Sequence, residues 1–122
     1  MDYKVKQLIA DIKSLFVKAE AARKDMAALV SNQNDIIGTF SQVTFSETAA
    51  LSYASNLVSL DEDYLDNEFS KLSSDDIKAY ASEQVERLTE LLMARISLKM
   101  TESNIQEING IKIVLEIWRK MR

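Results

Sequence analysis

Cysteine, histidine and proline are all absent from this 122-residue chain, and glycine occurs only at Gly38 and Gly110. Without cysteine, no disulfide framework and no thiolate metal site can form. Without histidine, the commonest general base near neutral pH is missing, and the loss of cysteine removes the best side-chain nucleophile. Metal chemistry is left to carboxylates alone. With no φ-locked residue and two glycines, the chain is poorly supplied for β-hairpins and long shaped loops, which biases it toward helix.

Long apolar runs are missing too. The longest uncharged run, Thr48–Leu60, is well short of the roughly 20 residues needed to cross a bilayer. Lys4, Lys6, Asp11 and Lys13 interrupt the apolar stretch near the N-terminus. No signal-peptide core forms there, and a cytoplasmic location is expected.

What is present in ordinary amount is hydrophobic residue content, at 47%, enough for one folded domain spanning residues 1–122. Charge is unevenly placed within the net −4. Residues 1–43 carry six basic against five acidic side chains, and residues 84–122 carry seven against five. Between them, residues 44–83 hold only Lys71 and Lys78 against nine acids. Such asymmetry bears on partners and solubility, not on fold.

The strongest positive signal is a heptad seam. Val5, Leu8, Ile12, Leu15, Ala19, Ala22, Met26 and Leu29 follow one another at alternating steps of three and four. The count then passes Gln33 and continues through Ile36, Phe40 and Val43. Eleven of these twelve positions are apolar, the spacing that keeps one stripe of a helix facing another helix. Ile9, Phe16 and Val30 widen the stripe on one side, which suits a bundle better than a slim two-stranded coil.

The expected fold is all-α: an elongated helical bundle with a long N-terminal heptad-patterned helix. Because the seam resumes in register beyond the polar Ser31–Asp35 stretch, that helix is expected to continue, straight or slightly kinked, to about Thr44. Thr44 and Glu47 have capping-box spacing for a second helix over about Phe45–Leu60. Ser59 and Glu62 have the same spacing for a short helix carrying Tyr64, Leu65, Phe69 and Leu72.

Ser73-Ser74-Asp75-Asp76 is the clearest helix start, a hydroxyl cap followed by carboxylates at the positive end of the dipole. The helix it opens shows Ile77, Ala81, Val85, Leu88, Leu92 and Ile96 on one face, with Leu91, Ala94 and Leu98 as a second row. It is expected to be buried on two sides and central. In the last segment, Asn109-Gly110 between apolar runs is a local hairpin signal. Ile108, Ile111, Leu115 and Trp118 nevertheless fit a helical seam, and a lone hairpin would have no sheet to join. Helix is the expectation, with Ser103 to Gln106 as a possible cap.

Polar constellations are few. Asp61, Glu62, Asp63, Asp66 and Glu68, continued by Asp75 and Asp76, form an acidic patch. It reads first as helix-start carboxylates on a solvated face, then as a surface for a basic partner, and last as a hard-cation site. No turn glycine or closing glutamate stands at EF-hand spacing. Glu83, Glu86, Glu90, Lys99 and Glu102 read as solvent-facing helix charges. With no Glu-x-x-His pair, no phosphate loop and no activated nucleophile, neither enzyme activity nor a cofactor nor a small-molecule substrate is expected. Trp118 with Arg119, Lys120, Arg122 and Lys112 makes no basic stripe, so nucleic acid is not an expected partner, and no membrane is either.

The functional expectation is a structural or assembly protein that self-associates through the seam, at Val5, Leu8, Ile12, Leu15, Met26, Leu29, Ile36 and Phe40. The alternative is an acidic helical adaptor, chaperone or inhibitor that meets a basic partner protein through Asp61, Glu62, Asp63, Asp66, Asp75 and Asp76. Length bears on the choice. A helix from Tyr3 to Thr44 would be about 60 Å long. A globule of this size is only about 35 Å across.

Overall fold

The computed structural model describes residues 3–31 and 38–121, and side chains over residues 3–24 and 48–121. Five α-helices account for nearly all of it, and no strand occurs among the described residues. They are α1 (Tyr3–Ser31), α2 (Gly38–Leu57), α3 (Glu62–Asn67), α4 (Ser74–Ile96) and α5 (Glu102–Arg119), with a 3-10 turn at Phe69–Lys71 after α3. The fold is all-α with a long N-terminal helix, as the periodicity implies.

That helix does not reach Thr44. α1 ends at Ser31 and α2 begins at Gly38, and the two lie against each other. In one continuous helix Arg23 and Ser52 would stand about 43 Å apart; instead the Arg23 guanidinium donates to the Ser52 hydroxyl at 3.2 Å. Thr44 therefore sits inside α2 and not at a helix start. The physical reason lies in length: a helix of about 60 Å has no equally long neighbour in this chain, whereas two antiparallel pieces cover one another. Most of the polar Ser31–Asp35 stretch lies outside the described residues.

Over its described side chains the seam is core. Val5, Leu8, Ile12, Leu15, Ala19 and Ala22 are all buried. Val5, Leu8, Ile12 and Leu15 join one cluster with Ala54 of α2 and Val58 just after it, Leu65 of α3, Ile77, Val85 and Leu88 of α4, and Ile111 and Trp118 of α5. Ile9 is buried with them and Phe16 half-buried beside them. Lys13 of α1 pairs with Asp66 of α3, and Lys120 after α5 pairs with Asp11 of α1 at 3.2 Å.

Among the described residues, α3, α4 and α5 start on side-chain caps, not all where spacing suggests. Ser73 Oγ accepts from the Asp76 amide at 3.1 Å, as read. α3 is capped by Asp61, whose carboxylate accepts from the Tyr64 amide at 2.7 Å, and not by Ser59. Ser59 adopts a left-handed φ of 61°, outside the extended conformation an N-cap takes. α5 is capped by Thr101, whose hydroxyl accepts from the Asn104 amide at 3.1 Å, two residues before the expected Ser103.

The middle of the bundle belongs to α5, not α4. α5 packs against both α2 and α4 and touches α1, burying Ile108, Ile111, Val114, Leu115, Ile117 and Trp118. Trp118 meets Phe69 and Tyr80 edge-on, at ring-centroid distances of 6.4 and 5.3 Å. Burial pushes the Tyr80 hydroxyl above its ordinary pKa, with the Arg87 guanidinium opposing. α4 buries only Ile77, Ala81, Val85 and Leu88. Leu91 and Leu92 are half-buried, while Ala94, Ile96 and Leu98 are exposed. The second apolar row finds no covering helix, because α5 lies along one side of α4 only.

Gly110 sits inside α5 and not at a hairpin turn. A Cβ there would lie 2.7 Å from Tyr53 Cδ1, 3.0 Å from the Ala50 carbonyl oxygen and 3.2 Å from the Ala54 nitrogen. Glycine at this point is required by the close approach of α2, whose facing residues Ala50 and Ala54 are themselves small and buried.

Two stability predictions follow from this packing. Gly110→Ala should gain about 1 kcal/mol of helix propensity but lose more to overpacking, about 1–3 kcal/mol. The expected outcome is a lower denaturant midpoint, and an unchanged or higher one would show that α2 and α5 slide apart freely. Leu88→Ala should cost about 2–5 kcal/mol. Leu92→Ala, half-buried, should cost clearly less in the same titration; equal losses would contradict the one-sided burial of α4.

Candidate interaction surfaces

The four seam residues Val5, Leu8, Ile12 and Leu15 face the interior of the bundle. Met26 and Leu29 lie on α1 and Phe40 on α2. Their side chains, and the whole of Ile36, fall outside the described residues. Over residues 5–22, then, the stripe is occupied within the chain.

All seven residues of the acidic patch, Glu68 included, are exposed, but five of them divide between two helix starts. Asp61 caps α3, with Glu62 and Asp63 in its first turn. Asp75 and Asp76 occupy the first turn of α4. There they complement the partial positive charge of unpaired amides. Asp66 is engaged by Lys13, and its carbonyl oxygen accepts from the Ser70 hydroxyl at 2.6 Å. Among the described residues, no three acidic side chains converge in a way that could hold a metal ion.

An open cleft of about 670 Å³ runs between α1 and the α2–α3 connection, lined in part by Phe16, Val17, Glu20, Arg23, Leu60 and Glu62. Its charges are of both signs, and Arg23 is held between Glu20, at 3.5 Å, and Ser52. Trp118 is wholly buried and offers no ring for stacking on a base. No described helix is long and apolar enough to cross a membrane.

The most distinctive surface lies where α4 passes into α5. Met93, Ile96, Leu98, Met100 and Ile105 are between 44% and 65% exposed. Exposed apolar residues are ordinary singly, but these five fall within residues 93–105, at one helix–helix connection. The periodicity of α4 had placed Ile96 and Leu98 on covered faces. The available signal was the alternation of Ile96, Leu98 and Met100 with Ser97 and Lys99, which no single helical face can bury.

This connection is built, not frayed. Asn104 Nδ2 donates to the Arg95 carbonyl at 2.9 Å and to the Lys99 carbonyl at 3.3 Å. The first of these joins the Leu98 amide on the Arg95 carbonyl, in the last turn of α4, and ties that turn to α5. Arg95 and Glu107 pair across the two helices at 2.7 Å. The apolar side chains are thus presented on a backbone held from both sides.

No family model, no curated protein and no solved structure matches this chain.

The carboxylates should act individually. Asp61→Ala should cost about 0.5–2 kcal/mol through the lost cap. Asp66→Asn should cost no more than about 1 kcal/mol, as exposed ion pairs do. Glu62→Gln with Asp63→Asn should leave the thermal midpoint nearly unchanged. A large loss in the last variant, matched by calcium- or magnesium-dependent stabilisation of the parent, would establish a cation site instead.

Proposed function

We propose that this chain is a non-enzymatic, cytoplasmic assembly protein, a helical bundle that self-associates through apolar surface its own fold leaves uncovered. The observation that carries this reading is the group of large apolar side chains held in solvent at the α4–α5 connection. Each exposed methylene there costs about 0.8 kcal/mol relative to burial. The heptad seam contributes to assembly, in this reading, only through its later members Met26, Leu29, Ile36 and Phe40, since the earlier ones lie in the core. Met26 and Leu29 lie on α1 and Phe40 on α2, so any coiled-coil pairing through them is made by two helices and not by one continuous seam.

A second reading, an acidic adaptor for a basic partner, is favoured by the exposure of Glu62, Asp63 and Asp75, none of which takes part in an ion pair among the described residues. Salt separates the two. Sedimentation equilibrium from micromolar to several hundred micromolar protein should show an oligomer that persists at high salt, because apolar contact is not screened. A monomer throughout the range, binding basic proteins only at low salt, would replace assembly with the adaptor reading.

A further inference from the structure

We infer that Asn109 is a covalent modification site, a point of intramolecular deamidation that is closed in the folded chain and opens when α5 leaves α2. The inference is independent of self-association. Of the six asparagines in the chain, Asn109 alone is followed by glycine. In the reaction the Gly110 backbone nitrogen attacks Cγ of Asn109. An N–Cγ bond forms, the Cγ–Nδ2 bond breaks, and the amide proton leaves with the side-chain nitrogen as ammonia. The product is a five-membered succinimide, which water then opens. Addition of water at Cγ gives aspartate. Addition at the main-chain carbonyl carbon gives isoaspartate, whose backbone runs through the former side chain and is one carbon longer.

One contact both creates the site and keeps it shut. A Cβ at 110 would lie 2.7 Å from Tyr53 Cδ1 and 3.0 Å from the Ala50 carbonyl oxygen. The crossing of α2 and α5 therefore demands the residue that hinders attack least, with no side chain beside its nitrogen and the freest backbone. Folding withholds what the sequence supplies. Asn109 and Gly110 lie inside α5, where ψ is held near the helical value of about −42°. The Gly110 amide is engaged by the carbonyl four residues back. Ring closure requires rotation about the Asn109 ψ, which breaks α5 in its middle and drives Gly110 toward Ala50 and Tyr53. Asn109 is itself exposed, so the barrier is the backbone and not the access of water. Ile108, Ile111 and Val114 around it are buried. Fraying from the helix ends does not reach this point, and it opens only when the core does.

The two products have opposite consequences. Aspartate keeps the backbone unchanged and sets a carboxylate one turn before the exposed Lys112, a favourable spacing on a helix. Isoaspartate adds a backbone atom between 109 and 110, and everything after it in α5, Trp118 included, loses its register against α2. A chain so modified cannot rebuild the crossing. Each opening of the core thus exposes Asn109, and conversion to isoaspartate withdraws the chain from the folded pool for good.

The test incubates the full chain at one mildly alkaline pH, folded in buffer and unfolded in guanidinium chloride. Peptide mass spectrometry locates deamidation, and electron-transfer fragmentation separates isoaspartate from aspartate. Unfolded chains should deamidate first at Asn109. Folded chains should do so there roughly a hundredfold more slowly or less, because the rate follows the open fraction. Comparable rates in the two states would overturn protection by α5. Deamidation of the unfolded chain spread evenly over the six asparagines would overturn the site itself. After removal of denaturant, isoaspartate should be confined to the fraction that fails to regain a cooperative melt by circular dichroism. Asn109→Asp should fold with a denaturant midpoint close to the parent's. Isoaspartate chains that refold with the parent's midpoint, or an Asn109→Asp variant that does not fold, would overturn the division between the two products.

Discussion

The approach of α5 to α2 at Gly110 sets the spacing on which the rest of the bundle depends. With no side chain at 110 and only methyl groups at Ala50 and Ala54, the two backbones come nearly into contact. That closeness lets α5 lie deep enough for Trp118, about 12 Å further along the same helix, to reach Phe69 and Tyr80. The aromatic group in turn ties the 3-10 turn after α3 to the start of α4. A wider spacing between α2 and α5 would lift Trp118 away from both rings. It would also expose Val114 and Ile111, which lie between the two points.

Local signals specify structure where nothing distant competes with them, as at Ser73, whereas the spacing at Thr44, Ser59 and Ser103 was overridden. Ser73 with Asp75 and Asp76 starts a helix because a hydroxyl acceptor and two carboxylates satisfy the first amides whatever lies nearby. The three-four repeat from Val5 to Ala22 becomes a buried stripe because the period alone determines which side chains share a face. Asn109-Gly110 misleads for the opposite reason. The dipeptide favours a turn in isolation, but the glycine is selected by Ala50 and Tyr53, some 60 residues earlier in the chain.

The same distinction accounts for what periodicity could not locate. The seam passes Ser31–Asp35 in register, so nothing in the pattern separates one long helix from two helices folded together. Only the lack of an equally long neighbour favours the second. Likewise, α4 and α5 carry similar apolar stripes, and which one is central depends on where α2 lies, not on either helix's own sequence. The acidic patch was legible as helix-start chemistry, while the apolar tip was not, because its residues come from the end of α4, the connection and the start of α5. Their exposure follows from which sides of α4 remain uncovered.

Core and surface are linked by this choice of centre. Had α4 taken the middle, its second row of Leu91, Ala94 and Leu98 would be buried, and the heptad stripe of α1 would have less of the bundle to pack against. With α5 in the middle, the α1 stripe is covered over residues 5–22 and loses its freedom to pair outward, while the last turn of α4 is left facing solvent. Apolar surface is thereby moved from a long helical seam to a small, braced end. The placement of one glycine-bearing helix thus decides both which stripe is buried and which apolar side chains are left facing solvent.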